Sequence, residues 1–435
     1  MQEFSSATST ARIDAIADAG TFESQVDTSS AIITGSACVD TVPVWIAASD
    51  PARARGAIGS LEADALCALF QATRRVPRPL LLLLDCSGAK VDEGIAGLGA
   101  FRRLFREALT TRVTRVPMLA LLGRSCFGGA SLLACLCDAR LYSSETLLAV
   151  SGPAVIEALS GESELRAADR EQVRRLMGGE VRSRLGSNEL LLPDSLDAFR
   201  AATVERIRAG KTVVLERDTL AQHNRLSQRI DGGASPCDKV LADRSRKELE
   251  SIAPIGYDFS LRGCVTVAES IFAPRSPVLL GVLTGATVGA DACWILADEL
   301  LRVRRARPDS PIVLFLDASG HAATHRDEAL MLSAYLVHLS VVIAEAAASG
   351  QQIELRISGA AAGAVYVAFA AAVTRVAAYP NARVRILPEA AVRSIVGRQR
   401  DEENTVDALI ATGVIDAVIE DPSQSAIPVA NLEKR

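Results

Sequence analysis

The sequence predicts an α/β protein made of two tandem copies of one unit, each copy a succession of ββα repeats with a mixed sheet. Three observations predict it: the size of the apolar content, an internal duplication, and the alternation of short β-rich runs with amphipathic stretches. With 435 residues, 49% of them hydrophobic, the chain can bury more than one core, because single cores stop growing near ~250–300 residues.

The duplication is read directly. LLLDCSG (82–88) is echoed by LFLDASG (314–320), and Asp85 and Asp317 stand 232 positions apart. GGASLLACLCDARLY (128–142) is matched by AGAVYVAFAAAVTRVAAY (362–379), with Gly129 and Gly363 separated by 234 positions and Arg140 and Arg375 by 235. RGAIGSLEADAL (55–66) pairs with TGATVGADACWIL (284–296), each after two β-rich runs. Two copies of one fold account for this spacing.

Within each copy a strand pair leads to an amphipathic helix, over 61–75 and 292–305. An unbroken apolar run follows (80–84; 312–316), as suits a strand covered on both faces. Then come a Ser-Gly turn, a second helix (97–110; 327–348), another strand (117–122; 353–357), a glycine-containing turn and a helix of small residues. The expected organisation is a helical lead over 1–32, a first domain over 33–205, a helical, charged linker over 206–260 that contains DGGASP, and a second domain over 261–435.

The net charge of −5, with basic and acidic residues interspersed, gives no footprint for nucleic acid. Lysine occurs only at Lys90, Lys211, Lys239, Lys247 and Lys434, so arginine carries the positive charge, and its fork suits carboxylate or phosphate groups. Nine cysteines without a C-x-x-C pair read as thiols in a reducing compartment. The N-terminus has no basic-then-apolar export pattern. The longest apolar stretch, 358–373, is shorter than a membrane span and reads as a buried helix. These features lead to the expectation of a cytoplasmic protein without a membrane partner.

Two kinds of turn carry candidate chemistry. Ser125, Cys126, Phe127, Gly128 and Gly129 join a buried strand to a helix whose first residues are small. Its amides are donors at the positive end of a helix dipole, where an enolate oxygen is stabilised. Each such donor is worth ~2.7–4 kcal/mol of barrier. The second copy offers the same construction, with Ala362 before Gly363. Small residues at such turns also serve close helix-on-sheet packing. Ser87-Gly88 and Ser319-Gly320 stand at strand ends, where open α/β sheets present ligands, or act as plain connections with a serine cap.

In chain order, ARIDAIADAGTF, RGAIGSLEADAL, LLLLDCSGAKVDEGIAGLGAF, SCFGGASLLACLCDARLYSSETLLAVSGPAVIEALSG and DREQVRRLMGGE resemble the beta subunit of biotin-independent malonate decarboxylase. LLGVLTGATVGADACWILADELL, LFLDASGHAATHRDEALMLSAYLVHL and ISGAAAGAVYVAFAAAVTRVAAYPNARVRILPEAAVRSIV resemble the gamma subunit. The resemblance covers most of the chain and implies two tandem crotonase-like domains with the active site at their interface. It implies decarboxylation of a malonyl thioester to the acetyl thioester on an acyl carrier protein with a phosphopantetheine-type, coenzyme A-like arm. It implies no permanently bound cofactor, no biotin and no metal. A homo-oligomer, and an acyl-carrier transferase subunit that loads the arm, are the further partners it suggests.

On this reading Phe127, Gly128, Gly129, Ala362 and Gly363 form the oxyanion turns; His321 is a candidate proton donor, and His321 and His325, four residues apart, read otherwise as a metal pair or as solvent-facing histidines at a helix start. Ser87, Gly88, Ser125, Cys126, Gly152, Pro153, Glu157, Ser319, Gly320 and Arg326 are candidate substrate contacts. Glu157 serves either to orient a water or as a structural cap. Arg326, Asp327 and Glu328 match a charged cluster of the gamma subunit, of which Arg326 is the candidate for the substrate carboxylate. The sequence departs from the family's pattern at Ser125, Ala362, Arg55-Gly56 and Ser319-Gly320, which leaves the acyl group open. Two further readings stand beside decarboxylation: a biotin-dependent acyl-CoA carboxyltransferase, and a carrier-binding scaffold without turnover. No four-cysteine zinc ribbon and no biotin-accepting Met-Lys-Met segment is present in the sequence.

Overall fold

The run Leu80–Cys86 is buried along its whole length, as a strand with helices over both faces requires. In the computed structural model, which describes residues 2–25, 30–209, 218–230, 238–273, 275–387, 391 and 405–419, it is the central strand of the first of two large sheets. The chain divides into two units. The first comprises Met1–Asp218, Ala323–Val337 and Glu389–Arg400, and the second Thr219–Ala322, His338–Pro388 and Asp401–Arg435.

The sheet of the first unit contains β1 (Glu23–Ser24), β2 (Ile32–Val39), β3 (Val42–Ser49), β4 (Leu80–Cys86), β5 (Met118–Phe127), β6 (Ala139–Tyr142), β7 (Leu147–Ala149) and β8 (Glu189–Leu191). Its order is β1-β2-β3-β4-β5-β6-β8, with β7 beside β5. The first three strands are antiparallel and the rest run parallel. The β2–β3 hairpin turns through Asp40 and Thr41, both at positive φ, as a tight two-residue turn demands. Asp18 accepts from both amides, at 3.0 and 2.8 Å. The core on one face joins Phe4, Ile13, Ile16 and Phe199 to Ile46, Leu81, Leu83 and Leu121, and the Phe4 and Phe199 rings stack at 3.7 Å.

The second unit repeats this order. Its large sheet runs β19-β17-β15-β13-β11-β10-β9, where β9 is Tyr257–Arg262, β10 Val265–Ser270, β11 Val278–Leu283, β13 Ile312–Asp317, β15 Ile353–Ile357, β17 Arg375–Ala378 and β19 Ala417–Val418. An antiparallel β9-β10-β11 meander again leads into parallel strands. Two small parallel pairs flank the strand ends: β12 (Thr287–Val288) with β14 (Gly320–His321), and β16 (Ala360–Ala362) with β18 (Arg383–Arg385). The fold is therefore α/β with two mixed sheets, each flanked by helices, as the duplication predicts.

Three expectations change. The stretch expected as a linker over 206–260 carries the helices Thr219–Arg229 and Lys239–Ile252 and the strand β9, so much of it belongs to the second unit; DGGASP lies outside the described residues. The helix expected over 327–348 is two, His325–Ala329 and Leu332–Ala348, because Met331 takes φ +64° and breaks the run. Cys264 is disulfide-bonded where thiols were expected, while Cys38, Cys67, Cys86, Cys126, Cys135, Cys137 and Cys293 are free. Among the described residues no helix is long and apolar enough to cross a membrane. The apolar stretch 358–373 forms β16 and the helix Gly363–Ala370, all eight of whose residues are buried.

Candidate active site

The site of the first unit grows from the end of β5. Phe127 closes that strand, and Gly128 takes φ +57°, ψ −131° before the helix Gly129–Leu136 begins, a conformation essentially reserved to glycine. A Cβ on Gly128 would stand 3.3 Å from the Cα of Gly88, so the Ser87-Gly88 turn and the Phe127–Gly129 turn lie against each other. Gly88, at φ +119°, accepts from the Ile58 amide through its carbonyl at 2.9 Å. The Gly128 amide, expected as an oxyanion donor, is already used: it donates to the Val150 carbonyl at 3.2 Å. Among the described residues nothing accepts from the Gly129 amide, so this N–H at the start of the helix is the donor open to a ligand. Gly129 has no room for a side chain, because a Cβ there would meet the Phe101 ring at 2.3 Å.

Behind this turn a buried carboxylate holds the strand ends. Asp85 accepts from Arg12 Nη2 at 2.8 Å and from the Ser125 amide at 3.2 Å, so Ser125 contributes its backbone to the support of the turn. The Cys126 side chain is fully buried and burial pushes its thiol well above the usual range; it remains a protonated thiol and not a nucleophile. Gly152 caps the helix Pro153–Ser160 and packs on the Phe127 ring, with a Cβ position 3.7 Å away. The Glu157 carboxylate accepts from the Ala167 amide at 2.6 Å, which makes it a tie for the following loop.

The segment Ala323–Val337 closes the first unit on this side. The Ser333 and Ser131 hydroxyls meet at 2.8 Å, and Ser160 Oγ donates to the Ala323 carbonyl at 2.7 Å. Glu328, read in the sequence as part of a charged cluster, is fully buried. Its Oε1 accepts from the Ser151 amide at 2.7 Å, one residue beyond the carbonyl that holds Gly128. Arg182, also fully buried, donates to the Glu328 carbonyl at 2.7 Å and to the Leu148 carbonyl at 3.0 Å; its Nη2 lies 3.8 Å from Glu328 Oε2. Arg326 is exposed. Among the described residues no group of three His, Cys, Asp or Glu is placed to hold a metal ion.

Burial pushes the Glu328 carboxyl up to about 7 from 4.5, with Arg182 opposing, and burial lowers Arg182. Between those two pH values the folded chain holds a proton that the unfolded chain releases. The stability tied to Glu328 is thus complete below pH 4.5 and is lost as pH rises through 7. Wild type should lose roughly 3 kcal/mol relative to Glu328→Gln over that window, read as urea midpoints of both proteins at pH 5 and pH 8. A gap that does not change with pH would contradict this assignment.

In the second unit Ala362 caps the helix Gly363–Ala370 and Gly363 takes φ +54°. A Cβ on Gly363 would lie 3.7 Å from His321 Nδ1 and 3.3 Å from the Ile386 carbonyl, so the structure brings His321 to the second turn. His321 is buried, and burial alone takes its imidazole down to about 4; at neutral pH it is uncharged, which weakens it as a proton donor. Ser319 donates its amide to the Ala286 carbonyl at 3.0 Å, and Gly320 opens β14.

Comparison with known proteins places both turns inside matched segments. Residues 8–180 match the family model of the carboxyl transferase domain, and residues 284–418 match that of the malonate decarboxylase gamma subunit. The chain is 33% identical over 129 residues to a malonyl-S-ACP:biotin-protein carboxyltransferase of Malonomonas rubra, covering 29% of this chain and 40% of that protein. It is 30% identical over 133 residues to a putative propionyl-CoA carboxylase beta chain of Bacillus subtilis, covering 30% of this chain and 26% of that one. The matches thus span about a quarter to two fifths of these curated relatives. Among solved structures, a Pseudomonas malonate decarboxylase hetero-tetramer in complex with malonate superimposes with a TM-score of 0.49 at 24% identity, over 54% of this chain and 94% of that chain. With one strand order in both units and a different family model over 8–180 and 284–418, this is a two-domain chain that joins a carboxyltransferase-like domain to a domain of the malonate decarboxylase gamma-subunit type.

Proposed function

We propose that the chain decarboxylates a malonyl or substituted malonyl thioester, carried on an acyl carrier protein or coenzyme A, through an enolate and without biotin. The observation that carries this reading is the unoccupied Gly129 amide at the helix N-terminus, set against the Ser87-Gly88 turn. The bond from the α-carbon to the carboxylate breaks, its electron pair passes into the thioester enolate, and carbon dioxide leaves. A donor aimed at the thioester oxygen favours that charge as it develops. The enolate carbon then takes a proton from water or a positioned acid. Cys126, buried and protonated, argues against a covalent acyl-cysteine step.

On this proposal no cofactor is held permanently, and the phosphopantetheine-type arm arrives with the substrate. The other components are the carrier, an acyl-carrier transferase subunit and further copies of this chain, in the cytoplasm. A second reading, carboxyl transfer between a thioester enolate and carboxybiotin, is favoured by the names of the two relatives above, a biotin-protein carboxyltransferase and a putative propionyl-CoA carboxylase beta chain. Malonyl, methylmalonyl and other substituted-malonyl thioesters, on coenzyme A and on carrier protein, should be incubated with the chain and followed by mass spectrometry. Loss of one carbon dioxide from at least one of them is the expected result. An unreacted panel would overturn the proposal in favour of a carrier-binding scaffold.

A further inference from the structure

The two units carry the same ion pair at the same spacing and use the space beside it differently. Arg12 and Asp85 in the first unit, and Arg244 and Asp317 in the second, are each joined at 2.8 Å, and both partners are displaced by 232 positions. In each unit the carboxylate also accepts an amide from the neighbouring turn, Ser125 at 3.2 Å and Ala360 at 2.7 Å. Arg12 is 1% exposed because the chain's own N-terminal segment covers it, with Nε donating to the Phe4 carbonyl and Nη2 to the Ser5 carbonyl. Arg244 is 48% exposed and faces a pocket of about 480 Å³ at the carboxyl ends of β11, β13 and β15. Where the first unit presents carbonyl oxygens to its arginine, the second presents an open cleft.

The lining of that cleft is short of acceptors. The Ser358 hydroxyl oxygen is buried without a hydrogen-bond partner, and among the described residues Arg383, exposed on the rim, makes no ion pair. Asn381 adds a side-chain amide, and Ile252 supplies an apolar surface, with Leu283 fully buried behind the lining. Asp317 and Glu248 are both taken up by Arg244, at 2.8 and 2.9 Å. With two cations and two carboxylates in the lining, the pocket suits a singly charged acceptor better than a multiply charged one, and its volume is that of a small-molecule site.

We propose that this pocket of the second unit binds a small aliphatic carboxylate, with the anionic head on the Arg383 guanidinium and the Asn381 amide and the chain on Ile252. A guanidinium fork and an amide N–H match the geometry of a carboxylate, and the apolar surface selects a short chain over a bare ion. The site lies wholly in the second unit, and its occupancy is measured without turnover.

Isothermal titration of the full chain with butyrate, butyramide and inorganic phosphate tests it. Butyrate should bind, butyramide should bind at least ten-fold more weakly, and phosphate should not compete at equal concentration. Arg383→Gln should weaken butyrate at least ten-fold. Arg383 is exposed, so this variant should keep the wild-type unfolding midpoint, and Asn381→Ala serves as a second variant on the same rim. Equal affinity for acid and amide, stronger binding of phosphate, absence of butyrate binding, or an unchanged affinity in Arg383→Gln would each overturn the proposal.

Discussion

Gly128→Ala should lower turnover of a malonyl thioester about 10²–10³-fold, the effect of losing one preorganised donor. The residue's backbone, at φ +57° and ψ −131°, is unfavourable for any side chain, and an added Cβ would press on the Gly88 Cα at 3.3 Å. Relief of that strain rotates the turn, moves the adjoining Gly129 amide and separates the two glycine turns. The stability cost should be about 1–3 kcal/mol, small enough for the folded enzyme to be assayed. Gly20→Ala is the control for backbone strain alone. Gly20 is also left-handed, at φ +72°, with nothing within 4 Å of its Cβ position; this change should leave turnover intact. Unimpaired turnover in Gly128→Ala would remove the oxyanion assignment from this turn.

The second large effect concerns the two ion pairs. Asp85→Ala strands a guanidinium that is 1% exposed and frees the Ser125 amide beneath the turn. Removing one member of a buried pair costs about 3–5 kcal/mol. Asp317→Ala should cost only about 1–2 kcal/mol, because Arg244 is half in solvent and keeps Glu248. Urea unfolding of both variants, followed by circular dichroism, separates the two cases. Equal losses would mean that the covering of Arg12 by Phe4 and Ser5 does not matter energetically.

The architecture was legible because it depends on features that repeat. Leu80–Leu84 and Ile312–Leu316 are apolar on both faces, and only a central parallel strand needs that. The spacing near 232 aligned them, together with Asp85 and Asp317. The same spacing also relates Arg12 to Arg244, a signal available in the sequence that the aspartates alone do not expose. The site was less legible. Which amide of the Phe127–Gly129 turn stays free depends on where the Val150 carbonyl points, a tertiary fact with no local signature.

Glu328 was hidden by its neighbours. Arg326 is exposed and Glu328 is buried, although both belong to one charged run, because a helix of five residues turns each of them to a different side before Met331 breaks the chain's direction. His321 shows the reverse case. Its position after a Ser-Gly turn suggested an acid, and the structure does place it beside Gly363, yet burial keeps it uncharged.

The most direct measurement is release of labelled carbon dioxide from malonyl thioester carrying ¹³C in its free carboxylate, with the purified chain, in the presence of excess avidin to sequester any biotin. Enolate formation by decarboxylation predicts labelled carbon dioxide and an equal amount of acetyl thioester, at a rate that avidin does not change. Labelled carboxylate that leaves the thioester only when biotin is supplied, and stops when avidin is added, would contradict it.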